Sequence, residues 1–280
     1  LHSKDFAISN LMQIVKSRTI AGFVPGYEKG IEKTRDKTEP PIGSKVVHEI
    51  YKRYGSDVLW VVELLFDDLY DWNSWFVRRR TLQPLGLICL GSDPINTTAG
   101  DGGSNIDPND WNVNQMQGAR YESGQDNSPL YDEGSQSLFN NVTHHMELYD
   151  VGFSSMFVME ARSLAALAEA LGNRSTERAT LLQRADAMEA LIRRHLWDHD
   201  RGVFANRFLR NGSLSAKIGP TSFYPLQAGV ATVPQAEAMV KGWLSNRSRF
   251  CVSEDWPFKD QAPVRIGRNG TDISCFWGMP

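Results

Sequence analysis

The stretch ARYESGQDNSPLYD, residues 119–132, sets two carboxylic acids, Glu122 and Asp126, four residues apart around Ser123, Gly124 and Gln125, with Asn127, Ser128 and Pro129 following directly. A carboxyl group that gives a proton to a leaving oxygen must hold that proton near neutral pH. Burial or a neighbouring negative charge has to raise its pKa. Asp126 has surroundings that suit this task. Gly124 permits close backbone approach, Gln125, Asn127 and Ser128 are neutral hydrogen-bonding groups, and the nearest cation along the chain is Arg120. The same residues are equally suited to a local turn, because Asp, Asn and Ser ahead of proline form Asx-type hydrogen bonds to their own backbone. Both readings stand on these residues alone.

Helices must carry this segment, because the repeated signal in the chain is helical. Val46, Val47, Ile50 and Tyr51 fall on one face of a helix over 44–54 that Gly55 closes, and a second apolar segment runs from Val58 to Phe76. A third helix spans about 152–171, with Gly172 placed for a left-handed cap. Ser175 is placed to cap a fourth that reaches about Trp197, and a fifth runs from Val233 to about Leu244. WDHDRGVFANRF reads as a turn with a short β-hairpin, and the Asp-, Asn- and Gly-rich residues 92–118 read as a long functional loop leading into the acid segment. Long paired helices with long loops describe a helical toroid and argue against a parallel-sheet enzyme or a β-sandwich. Within this frame, DWNSWF places Trp72 and Trp75 three apart on one helix face, where indoles can stack on a sugar ring or simply fill the core.

Other classes of function find little support. With 30 basic against 33 acidic residues, net charge is -3, and the densest basic run, Arg78–Arg80, reads as a solvated helix end rather than a nucleic-acid surface. No uninterrupted apolar run reaches the roughly 18 residues of a membrane segment. Cys89, Cys251 and Cys275 lack metal-type spacing, no histidine motif indicates zinc, and no cofactor is called for. Asp101, Asn105, Asp107, Asn109 and Asp110 offer oxygen ligands for calcium but miss the EF-hand pattern, so a solvated loop is the expectation. Sequons at Asn96, Asn141, Asn173, Asn211, Asn246 and Asn269 exceed the roughly two expected by chance and suggest a glycoprotein of the secretory pathway or extracellular space.

The motifs PPIGSKVVHEIYKRYG, ELLFDDLYDWNSWF, ARYESGQDNSPLYD, MELYDVGFSSMF, SFYPLQAG and the final FW occur in the order found in glycoside hydrolase family 63, which the chain resembles over nearly all of its 280 residues. The resemblance implies an all-α (α/α)6 toroid of the six-hairpin glycosidase type, present here as residues 1–280 of an incomplete catalytic domain. It further implies an inverting α-glycosidase acting on α-linked glucosides or mannosides. Trehalases share a related acid motif, yet GQDNSP is more similar to family 63. Carried across residue by residue, Asp126 corresponds to the general acid. Tyr121, Glu122, Gly124 and Asn127 belong to its motif, Phe276 and Trp277 match an aromatic pair at the sugar subsite, and Glu39, Trp72 and Trp75 complete the expected substrate contacts. Glu39 stands where the family usually has glutamine, and FWGMP lacks an arginine often found after the tryptophan. These departures support a rival reading as a carbohydrate-binding protein without catalysis.

Inversion needs a second carboxylate to activate water, about 6.5–9.5 Å from the acid. In the family it lies in a later segment, and Glu254 and Asp255 do not match its motif. The chain, opening at Leu1 and stopping at FWGMP, is therefore expected to be a fragment lacking its base. Purified alone, the 280-residue chain is predicted to show little or no hydrolysis of α-linked disaccharides, and appreciable turnover would overturn that expectation.

Overall fold

The structure is a computed structural model that describes residues 3–29, 32–94, 116–125, 128–131 and 138–246. Eight α-helices are formed among them: α1 Lys4–Lys16, α2 Gly43–Tyr54, α3 Leu59–Arg79, α4 Met116–Glu122, α5 Val151–Leu171, α6 Ser175–His195, α7 Tyr224–Gln227 and α8 Val233–Met239. The strands are β1 Glu28–Lys29, β2 Glu32–Lys33, β3 Thr81–Leu82, β4 Leu87–Gly91, β5 Phe139–Asn140, β6 His145–Tyr149, β7 Trp197–Asp198, β8 Val203–Phe204 and β9 Arg207–Phe208.

Helix α5 is the core of this arrangement. Residues from Val151 to Ala168 are buried almost without interruption, so the helix is covered by α2, α3 and α6 together rather than along one stripe. Among the described residues it is also the one helix apolar and long enough to cross a membrane, and 83% of its apolar window is buried inside the fold, as a core helix requires. Asp150 caps its start by accepting from the Phe153 N–H at 2.8 Å, and Gly172 ends it at φ 75°, a left-handed turn that a β-carbon disfavours. α6 packs back along α5 as a hairpin, which is the repeating unit of a helical toroid.

The expected helices over 44–54, 58–76, 152–171 and 175–197 are all present, with differences that have local causes. Ser175 does not cap α6 but forms its first residue, since Arg174 holds the capping position without a side-chain bond. The fifth expected helix is α8 followed by a wider π turn over Val240–Leu244, and its cap is the reciprocal pair Thr232 and Gln235. Three helices lie outside the expected set: α1, capped by Ser3, α4, which reaches back to Met116 in what reads as loop, and the short α7.

The largest departure is a five-stranded antiparallel sheet. Its order is β3-β4-β6-β5, and β9 also pairs with β6. Cys89 faces Tyr149 and Gly91 faces His145 across a bulge. β4 is buried at every position, so Leu87–Gly91 is a short continuous apolar run that carries no alternation to mark it as a strand. The β7–β8 hairpin is where WDHDRGVF places it. Asn141, Asn173 and Asn211 stand exposed at turns.

One helix end is capped from far along the chain. Both carboxylate oxygens of Glu160 on α5 accept from the Ser44 N–H at 2.9 Å, and one accepts from Lys45 N–H at 3.3 Å, fixing the start of α2 after the double proline. Burial is the main force on Glu160 and pushes its carboxyl up to about 7, although the hydrogen bonds from Ser44 and Lys45 pull the other way. In the unfolded chain the group titrates near the ordinary glutamate value of about 4.3. The folded state therefore binds the proton more tightly, and this contribution to stability, roughly 3 kcal/mol, is present below about pH 4 and lost as pH rises through 7. Urea midpoints measured from pH 5 to 8 should fall less steeply for Glu160→Gln than for the native chain. Identical slopes would show that Glu160 does not titrate in this way.

Candidate functional site

Three separate segments meet beneath the acid motif, and one guanidinium joins them. Arg80, the residue that ends α3, is fully buried, so the basic run Arg78–Arg80 is not the uniformly solvated helix end its sequence suggests. Its Nε donates to Glu122 Oε2 at 2.8 Å and its Nη2 to Oε1 at 2.9 Å, a two-pronged pairing at the last residue of α4. Its Nη1 reaches Asp93 Oδ1 at 3.1 Å, and Nη2 also reaches the Asp36 carbonyl at 3.3 Å. The backbone N–H groups of Thr38 and Gly91 complete the donors to Glu122 at 3.1 and 2.7 Å. Gly91 is required by this packing, since a β-carbon there would lie 2.8 Å from Arg80 Cζ.

Burial is the main influence on the Glu122 carboxyl and raises its pKa, while the Arg80 charge and the two N–H groups pull it back. For Arg80, burial opposes the charge but Glu122 and Asp93 outweigh it, raising the guanidinium pKa further. Arg80 and Glu122 form a buried salt bridge, Nε to Oε2 at 2.8 Å. Asp36 extends the network, accepting from Ser92 Oγ at 2.6 Å and from Lys37 Nζ at 3.1 Å, and Lys37 Nζ sits 5.5 Å from the Tyr121 ring centroid.

From Glu122 the chain turns at Ser123 and Gly124. Gly124 has φ 68°, and a β-carbon there would lie 3.6 Å from Pro40 Cγ, so the acid motif abuts the double-proline segment. Gln125 N–H donates to Ser123 Oγ at 2.9 Å, and the Gln125 side chain hydrogen bonds to Tyr224 in SFYPLQAG. Beyond 126–127, Ser128 N–H donates to the Gln125 carbonyl at 2.9 Å. Tyr131 OH donates to Asp150 at 3.0 Å, and Arg120 Nη2 donates to the Tyr131 carbonyl at 2.9 Å. The motif is therefore anchored on both sides by residues that the sequence alone does not single out: Arg80, Thr38, Tyr131, Asp150 and Tyr224. Of these, Tyr131, Asp150 and Tyr224 lie in motifs that carry the family resemblance, which is the available signal.

The expected substrate contacts divide into three groups. Glu39 is half-buried and lines, with Pro40, Ile42 and Gly43, a groove of about 1380 Å³ between α1 and α2. Tyr121 and Gly124 are close to it through Lys37 and Pro40. Glu122, Trp72 and Trp75 form the second group, each with little or no exposure. Glu122 is wholly buried with its oxygens occupied by Arg80 and backbone donors, so it supports the motif and has no free edge for a sugar. Trp75 is 1% exposed, packed on Phe23 at 4.8 Å and Phe76 at 5.2 Å with Arg80 Cζ 4.5 Å over its ring. Trp72 is 3% exposed, donates from Nε1 to Thr38 Oγ1 at 2.8 Å and contributes to the lining of the groove. Asp126, Asn127, Phe276 and Trp277 lie outside the described residues, as do the candidate calcium positions 101–110. Among the described residues, no group of His, Cys, Asp and Glu is arranged to hold a metal ion.

Solved structures place this architecture among the toroidal glycosidases. A family 63 mannosylglycerate hydrolase from Thermus thermophilus in complex with glucose is similar over 82% of this chain and 62% of its own, at a TM-score of 0.62 and 18% identity. The same enzyme with Tris and D-glycerate gives 0.62 over 86% and 66%, also at 18% identity. A neutral trehalase from Saccharomyces cerevisiae is similar at 0.51 and 16% identity over 74% of this chain and 43% of that one. The fold is thus that of the (α/α)6 barrel, and the chain spans a little under two thirds of the hydrolases it matches. No curated protein sequence matches it. The family described as the mannosylglycerate hydrolase MGH1-like glycoside hydrolase domain matches residues 1–261, and the chain belongs to that family.

Removing one charge of the buried pair leaves the other without a partner, which typically costs about 3–5 kcal/mol. Glu122→Gln should lower unfolding stability by that order. The apolar double replacement of Arg80 by Met and Glu122 by Leu should cost much less, both read by denaturant titration. A Glu122→Gln chain as stable as the native one would mean the pair does not hold these segments.

Proposed function

We propose that this glycoside hydrolase domain cleaves α-linked glucosides or mannosides with inversion, and that Asp126 is the general acid. What carries the reading is the anchoring of the residues on either side of it. Glu122 is tied to Arg80 upstream, Tyr131 to Asp150 downstream, and Gly124 abuts the Pro40 edge of the groove. A general acid is useful only if its carboxyl is held within hydrogen-bond reach of the glycosidic oxygen, and anchored backbone on either side of it supports that role.

In this scheme the bond from the anomeric carbon to the leaving oxygen breaks as Asp126 passes its proton to that oxygen. A water molecule attacks the opposite face of the sugar and gives its proton to a second carboxylate. We assign that base to the part of the domain that these 280 residues do not span. The groove beside Glu39 and Pro40 is the binding region assigned to the sugar, and a similar hydrolase solved with glucose supports a sugar as the substrate class. The half-buried Glu39 carboxylate, adjacent to Thr38 in the clamped segment, is placed to accept from sugar hydroxyls.

In the full-length protein, Asp126→Asn should lower the rate on α-linked disaccharides by about 10²–10⁴ while leaving sugar binding in place. The product anomer followed by NMR should be β from an α-linked substrate. An unchanged rate would remove Asp126 from the mechanism, and an α product would exclude inversion.

A further inference from the structure

Arg80 is an unusual residue to find at 0% exposure, set back from the groove that it does not line. Well-packed apolar residues commonly replace a buried ion pair at little or no cost in stability, so stability alone is a weak reason for one here. What a guanidinium adds is direction. Its donors lie in one rigid plane, and here they fix Glu122, Asp93 and the Asp36 carbonyl relative to each other. Trp75 supports that plane from one side, with Arg80 Cζ 4.5 Å from its ring centroid, and Gly91 leaves it room on another.

Each segment fixed in this way leads toward the proposed reaction centre. Glu122 ends α4 four residues before Asp126, and the intervening turn at Ser123 and Gly124 is itself hydrogen bonded through Ser123 Oγ to the Arg120 carbonyl at 2.6 Å. Thr38, bonded to the same Glu122 oxygen that Arg80 holds, precedes Glu39 and Pro40 at the groove. A shift of the guanidinium would therefore move both the acid motif and the groove wall opposite it.

We propose that Arg80 is a positioning residue for glycosidic bond cleavage, acting through Glu122 to hold the backbone that leads into Asp126 against the segment that carries Glu39. It makes no contact with substrate. Its effect on the reaction is on proton delivery to the leaving group. This inference rests on the assignment of Asp126 as general acid.

The test uses the dependence of rate on the leaving group, which a purely structural role would not alter. An α-glycosyl fluoride departs as fluoride without needing a proton from the enzyme, whereas an α-linked disaccharide of the same sugar needs the acid. Arg80→Lys keeps the charge but loses the fork. In the full-length protein it should lower kcat on the disaccharide by about a hundredfold, with KM within roughly twofold, and leave the rate on the fluoride close to that of the native enzyme. Asp126→Asn, measured alongside, should show the same selectivity in greater degree. Equal losses on both substrates, or none on either, would overturn the role of Arg80 while leaving Asp126 in place. An Asp126→Asn variant without selectivity would overturn the acid assignment and this inference with it. If Arg80→Lys does not fold, the neutral pair Arg80→Gln with Glu122→Gln, which keeps hydrogen bonding between similar shapes, is read by the same ratio of substrates and decided by the same outcomes.

Discussion

The buried pairing of Arg80 with Glu122 is the constraint on which the candidate site depends. Two ions taken out of water lose several kcal/mol of hydration each, and only close, multiple hydrogen bonds recover it. Here the recovery comes from groups on three segments far apart in sequence, residues 36–38, 91–93 and 122, so the charges are satisfied only when all three are in place. Residues 36–38, 91–93 and 122 are thereby held against one another.

The helices provide the rigid ground for that pairing. α3 delivers Arg80 at its end and Trp75 and Trp72 about one and two turns earlier, so the indoles, buried against Phe23, Phe76 and Gly43, set where the guanidinium comes to rest. α5 contributes Asp150 at its start and Glu160 in its third turn. The first receives Tyr131 from the acid motif, and the second holds the start of α2 beyond the double proline. One uninterrupted core helix thus organises both walls of the region. Its two carboxylates have raised pKa values chiefly because they are buried, which is the consequence of placing caps inside a core.

Much of this was legible in the sequence, and the limits have physical causes. The 3.6-residue apolar periodicity of α2, α3 and α6 and the long apolar run of α5 mark these helices, and Gly55 and Gly172 end two of them as expected. The five-stranded sheet was not legible, because β4 is too short and too evenly buried to alternate and its partner β6 lies far along the chain. Arg80 resembled its exposed neighbours Arg78 and Arg79 because a run of like charges says nothing of which one turns inward. Glu122 looked like a sugar contact because an acid beside a catalytic motif has two uses, and only its partners distinguish them. The indoles Trp72 and Trp75 fit a sugar platform and a core equally well by spacing; Trp75 packs in the core, while Trp72, almost buried, also lines the groove.

The account predicts that Arg80 and Asp126 act on one event, proton transfer to the leaving oxygen. A double-mutant cycle on the full-length protein, comparing kcat for an α-linked disaccharide in the native enzyme, Arg80→Lys, Asp126→Asn and the double variant, measures that coupling directly. The predicted result is that Arg80→Lys has almost no further effect once Asp126 is Asn, since there is no acid left to position. Losses that multiply across the two sites would show that Arg80 and Asp126 work independently, and would contradict it.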